Sequence, residues 1–187
     1  MTKQYLWLLL VLIFSCVSND KKEKTGEESP APTEKSSSAV TNYQLTAREA
    51  FRLAKKEVKK WDKNAKLVEI STYPSSPKAE GTCAGWKFEF NSTSKNQRLE
   101  VLVRRGKVSQ TDEGKLLKNE PVSGEWMDSD KIADIGREYL DYSNSKLWLG
   151  MASYDGAPAW NIRARNNDGK TKWVRINALN GEMIKSW

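Results

Sequence analysis

Between Leu45 and Trp61 apolar side chains recur at spacings of three and four. Ala47, Ala50, Phe51, Ala54, Val58 and Trp61 therefore fall on one stripe of a helix. Thr46-x-x-Glu49 at its start is the capping-box pattern, in which hydroxyl and carboxylate satisfy each other's backbone amides. A second stripe, Ile132, Ile135, Gly136, Tyr139 and Leu140, predicts a shorter helix capped by Asp128 or Ser129. After each helix, and a few polar residues, comes a short strand candidate, at 67–73 and 147–154. Period-two alternation then takes over. Trp86-Lys87-Phe88-Glu89-Phe90 and Trp160-Asn161-Ile162-Arg163-Ala164-Arg165 each predict a strand with one buried and one wet face. Residues 99–103 and 172–176 follow as the next strands. Asp168-Gly169 and Asn180-Gly181 are hairpin signals, and Arg105-Gly106 stands where Asn180-Gly181 stands in the later segment.

Residues 45–73 and 127–154 can be laid over each other, and the strand pairs behind them agree more closely still. The pattern predicts an α+β fold of two tandem small repeats, 45–118 and 122–187. Each is expected to be one helix packed on an antiparallel sheet of three to four strands. The boundary falls between Lys115 and Asp128. The first copy is longer by a loop running from Pro74-Ser75-Ser76-Pro77 to Gly85.

The end of the chain carries a resemblance. Residues 160–184 place an alternating strand, a Gly-containing hairpin, a second strand and then Asn177-Ala178-Leu179-Asn180-Gly181-Glu182 in order. This resembles the end of a PepSY domain, whose closing turn reads Asp-Ala-x-Thr-Gly-Glu-Val; Asn177 replaces the Asp and Asn180 the Thr. The helix at 45–61 is similar to the family's opening helix. These are turn and packing motifs, so the resemblance implies fold more than function. It implies a protein-binding or inhibitory role, as in metalloprotease propeptides and bacterial envelope proteins, and it supplies no catalytic residue.

The first residues read differently. Met1-Thr2-Lys3-Gln4 is followed by an apolar run from Tyr5 to Phe14 and then Ser15-Cys16. A short basic start, an apolar core and a small residue before the cut describe a secretory signal at 1–15. The run is too short to span a bilayer, which takes roughly 20 residues. Ile13-Phe14-Ser15-Cys16 resembles the lipobox of bacterial lipoproteins, with Phe14 bulkier than is usual, and implies acylation of Cys16. The 28 residues from Val17 to Gln44 are charged, Ser- and Pro-rich and almost without large apolar groups. Such a segment predicts a flexible tether with a span of roughly 30 Å, so 16–44 is expected to be anchor and linker.

The chain has 187 residues, no histidine and two cysteines, Cys16 and Cys83. Lack of imidazole removes Ser-His-Asp and Cys-His catalysis and every His-based metal site. Two cysteines exclude a disulfide framework; either Cys16 is acylated and Cys83 is a lone thiol, or the two are bridged. Ser143-x-x-Lys146 matches one element of penicillin-binding enzymes but lacks the companion motifs. Asp128, Asp130 and Asp134 read as helix-start acids rather than metal ligands. No enzyme, cofactor or metal is expected.

Seven tryptophans follow the tether. Trp61, Trp86, Trp160 and Trp173 lie on inferred apolar faces and are expected in the core; Trp126 and Trp187 are the candidates for exposure. The net charge is +7, and from Leu45 to Glu120 there are 17 Lys and Arg against 10 Asp and Glu, while later residues balance at 9 and 9. Arg48, Arg52, Lys55, Lys56, Lys59 and Lys63 share one helical side, a candidate polyanion-binding face. The sequence thus predicts an exported, non-catalytic lipoprotein of the bacterial cell envelope, on the periplasmic or surface side of an outer membrane. Its partner is expected to be an envelope or extracellular protein, such as a protease that it inhibits. The alternative is a surface adhesin or structural lipoprotein that holds a polyanion or anionic lipid on the basic helix. Nucleic acid is not expected as a partner.

Overall fold

Thr46 starts the first helix as its spacing predicts. Its hydroxyl accepts from the Glu49 amide at 3.3 Å, and the Glu49 carboxylate accepts from the Thr46 amide at 2.9 Å. The structure, a computed structural model, describes residues 43–73, 75–141 and 145–187. Its elements are α1 (Ala47–Trp61), β1 (Lys66–Thr72), β2 (Gly85–Ser92), β3 (Gln97–Arg104), β4 (Lys107–Gly114), α2 (Ser129–Gly136), β5 (Ser145–Tyr154), β6 (Ala157–Asn166), β7 (Thr171–Asn177) and β8 (Met183–Ser186). The fold is α+β. All eight strands join one antiparallel sheet in the order β4-β3-β2-β1-β5-β6-β7-β8.

Two sheets of three to four strands were expected from the sequence; there is one sheet instead. Its halves, β1–β4 and β5–β8, are both meanders, and they meet where Glu69, Ile70 and Ser71 pair with Ala152, Met151 and Gly150. Two-residue turns with both φ values positive close β3–β4 at Arg105-Gly106 and β5–β6 at Asp155-Gly156, the geometry that matches strand twist.

One row of the register crosses the sheet from Val101 through Phe88, Ile70, Met151 and Trp160 to Ile176. Every member is buried, and this face carries both helices: α1 packs on β2, β3 and β4, and α2 on β6 and β7. Ala47, Ala50, Ala54 and Val58 of α1 and Ile132 of α2 enter the same apolar cluster as these strand residues. A four-stranded sheet covered by one helix makes a marginal core, and merging the halves enlarges it. The second helix ends at Gly136 rather than Leu140, which leaves Tyr139 exposed while Leu140 still reaches the core.

Two tryptophans anchor the helix starts. The Trp86 indole N–H donates to the Leu45 carbonyl at 2.8 Å, and that of Trp160 to the Met127 carbonyl at 2.9 Å. Each acceptor immediately precedes a helix N-cap, Thr46 or Asp128, and the two indoles meet edge to face with centroids 6.4 Å apart. Trp126, expected at the surface, is instead buried against Phe51 and Trp160.

Candidate binding face on the open side of the sheet

With both helices on one side, the other face of the sheet is the place to look for surface chemistry. Its two halves differ. On β2–β4 the outward side chains around Glu89 form an ionic network. Glu89, itself buried, pairs with Lys87 at 3.2 Å and Arg98 at 3.0 Å; Glu100 lies 3.8 Å from each cation, and Asp112 lies 3.7 Å from Arg98. Cations and carboxylates here satisfy one another.

On β5–β8 they do not. These four strands contain Lys146, Arg163, Arg165, Lys172, Arg175 and Lys185 and not one Asp or Glu. The acids of this half are all in α2, its flanking loops and the turns. Five of the six cations have outward parity, since Lys146 pairs with Arg165, Trp148 with Arg163, and Arg175 with Asn161 and Lys185. Between them runs an aromatic row. Trp148 lies opposite Arg163, Arg163 opposite Trp173, and Trp173 and Trp187 exchange backbone hydrogen bonds of 2.8 and 3.1 Å. The Trp148 and Trp173 rings are 6.1 Å apart at 64°, and the Trp173 and Trp187 rings are parallel at 6.1 Å. The Arg163 guanidinium sits 5.3 Å from the Trp173 centroid, Arg175 sits 5.5 Å from Trp187 and 4.1 Å from Tyr154, and Lys185 sits 5.4 Å from Trp187. Such cation–π contacts hold rings and charges in fixed relation without neutralising the charges.

Gly150 makes room for the row, because a Cβ there would collide with the Trp148 indole, which lies over the glycine. A shallow groove of about 190 Å³ runs beside it, lined by Glu69, Trp148, Gly150, Ala152 and Asn161 among others. Glu69 is an acid that borders this half beside the groove. Burial and the nearby Glu89 raise its pKa above the ordinary value, against the opposing pull of Lys87 and a hydrogen bond from Asn119 at 3.3 Å.

The helix face predicted from the sequence is placed as follows. Arg52, Lys55, Lys56, Lys59 and Lys63 are exposed, with Lys63 in the turn after α1. Arg48 leaves that row: its guanidinium donates to the Trp126 carbonyl and lies 4.9 Å from the Trp126 ring, so it serves the core edge instead. Lys55 is 5.8 Å from the Phe51 ring. An open cleft of about 460 Å³ beside Arg48 includes Asp128, Asp130 and Lys131. The Asp128 carboxylate is already engaged there by the Arg48 and Ser129 amides at 2.9 and 2.8 Å.

Trp173, expected in the core, lies half-buried on the open face, and Trp187 is exposed as expected. Cys83 is buried and has no disulfide partner among the described residues; its Sγ lies 3.4 Å from the Ser75 carbonyl, and burial pushes its pKa up. Cys16 and Ser143 lie outside the described residues. Among the described residues no helix is long and apolar enough to cross a membrane, and no group of three or more Cys, Asp or Glu is arranged to hold a metal ion.

Sequence reasoning missed the open face. The signal was there: acid-free strands in which Trp and Arg alternate with apolar residues. A balanced charge count over the second half concealed it.

Comparison with protein-family models, with curated proteins and with solved structures finds no match to this chain.

Proposed function

We propose that this chain is a non-catalytic binding module of the bacterial cell envelope, exported and held by acyl groups on Cys16, and that the open face of β5–β8 is its binding surface. The observation that carries the reading is the charge segregation on that face: five outward strand cations, no strand carboxylate and a row of three tryptophans. A surface of one sign with fixed aromatic rings favours an anionic partner over a neutral one. The envelope setting rests on the signal-like start and the Ser15-Cys16 junction, and the non-catalytic reading on a sequence without histidine.

We read the architecture as two PepSY-like units, 45–118 and 122–187, fused edge to edge. The matched bonds of Trp86 and Trp160 to the residues before each helix cap support that reading. A protein partner, inhibited protease included, would meet the same face through an acidic surface.

A second reading places a polyanion or anionic lipid on α1, favoured by the exposed side of Arg52, Lys55, Lys56 and Lys59. The two are separated by charge reversal in the full-length protein. Arg163, Arg175 and Lys185 changed together to Glu should abolish retention on immobilised heparin at low salt. The triple change of Arg52, Lys56 and Lys59 to Glu should preserve it. The opposite result assigns binding to the helix, and retention in both variants removes the sheet-face reading.

A further inference from the structure

We propose that the open face of β5–β8 is built for an acidic polysaccharide, whose sugar rings stack across the strands along Trp148, Trp173 and Trp187 while neighbouring cations take its anionic groups. This rests on the reading of that face as the binding surface and adds the class of ligand.

Register fixes the shape. The aromatic row lies perpendicular to the strands on β5, β6, β7 and the end of β8, and with strands about 4.8 Å apart it extends roughly 14 Å. Lys146 and Arg165 flank it on one side, and Arg175 and Lys185 on the other. A ligand on this strip meets the Trp148 ring lying along the sheet, the parallel Trp173 and Trp187 rings tilted 64° from it, and positive charge at both rims. A pyranose ring presents bare C–H faces and carries its hydroxyl and carboxylate groups at the rim, so a chain of uronate or sulfated sugars matches both features at once.

Other anionic partners match one feature and fail another. An extended acidic peptide has an amide in every residue, and these would lose water over indole faces without finding partners. The outward acceptors within reach of its N–H groups are few, and the Asn161 carbonyl oxygen already accepts from Arg175 Nε at 2.8 Å. A bilayer surface takes side chains that stand off the protein and insert. Here Trp148 lies along the sheet over Gly150, Trp173 is half-buried, and the outward positions beside them include Gly150, Ala152, Ala159 and Asn161, while the exposed Trp187 and Tyr154 rings are held against Arg175. No long aliphatic side chain rises among them. Open along its length, the strip suits a polymer lying across the strands.

The test uses the full-length protein and four probes: polygalacturonate, polyglutamate, neutral dextran, and vesicles containing an anionic phospholipid. Polygalacturonate is expected to bind and alter tryptophan fluorescence, and to survive salt concentrations that release polyglutamate, because stacking is not screened. Trp148→Ala and Trp173→Ala should each weaken polygalacturonate binding roughly threefold to tenfold and leave polyglutamate unchanged. Gly150→Ala, which displaces the Trp148 ring without removing it, should reproduce the Trp148→Ala effect and guards against a misfolded tryptophan variant. If polygalacturonate and polyglutamate bind alike and no tryptophan variant changes either, the face is a simple cationic surface; the polysaccharide assignment is overturned while the binding-face reading stands. If vesicles bind with a blue-shifted emission and no polymer does, a membrane is the occupant and the assignment is again overturned. If no probe binds and the triple reversal of Arg163, Arg175 and Lys185 changes nothing, the binding-face reading itself fails.

Discussion

The backbone amide of Arg48, in the first turn of α1, donates at 2.9 Å to the carboxylate of Asp128, the N-cap of α2. Asp128 also accepts from the Ser129 amide at 2.8 Å, and the buried Ser129 hydroxyl accepts from the Ala47 amide at 2.9 Å. Two helix N-termini thus point at one carboxylate. Each end leaves amides without intrahelical partners and carries a partial positive charge, so one negative group serves both.

Asp128→Ala should therefore cost more than the loss of one cap. An ordinary N-cap deletion costs about 1 kcal/mol; here a second helix loses its acceptor too, so about 2 kcal/mol is expected. Asp128→Asn keeps an oxygen and should recover much of it. Chemical denaturation of the variants measures this, and an unchanged midpoint for Asp128→Ala would show that the shared cap contributes nothing.

Trp86→Phe and Trp160→Phe each leave a carbonyl next to a helix cap without its indole donor. Trp160→Phe should destabilise by about 1–3 kcal/mol, and Trp86→Phe by less, because the Leu45 carbonyl keeps the Cys83 amide at 2.9 Å. Because the two rings touch, the double variant should depart from the sum of the singles. Thermal unfolding of the three variants gives the coupling; strict additivity would mean that the two halves are anchored independently.

Glu69 offers a pH test. Its folded pKa lies above the ordinary value of 4.5, chiefly through burial. The stability contributed by the protonated side chain is fully present below the ordinary value and is lost as pH rises through the raised one. Glu69→Gln resembles the protonated form, so its Tm should exceed that of the parent at pH 7 and match it at pH 4. The same change removes the carboxylate bordering the aromatic row and should strengthen binding of an anionic polymer at pH 7. A constant difference in Tm across that range would assign the effect to something other than ionisation.

Cys16→Ser tests the anchor. The wild type is expected to partition into detergent and to carry acyl mass at its mature N-terminus, and the variant to move into the aqueous phase. Identical partitioning of the two would remove the lipoprotein reading.

Local patterns in the sequence determined the elements. The capping box at Thr46, the helical stripe from Ala47 to Trp61, the period-two strands at Trp86 and Trp160, and the glycine turns all act over a few residues. Short-range sterics and hydrogen bonding were sufficient to place them. The helix cations from Arg52 to Lys63 were legible for the same reason. What only the tertiary structure decided depends on residues far apart in the chain. The pairing of Ile70 with Met151 joins two predicted sheets into one, which gives both halves a larger common core. That single sheet, with both helices on one side, decides which alternate residues stay wet. It withdraws Arg48 from the basic face to Trp126, takes Trp126 into the core, and turns Trp173 out beside Trp187. The acids of the second half stay in α2, its flanking loops and the turns, while its strand cations gather around three indoles. A charge count along the chain sums these to zero; only the register of four strands separates them.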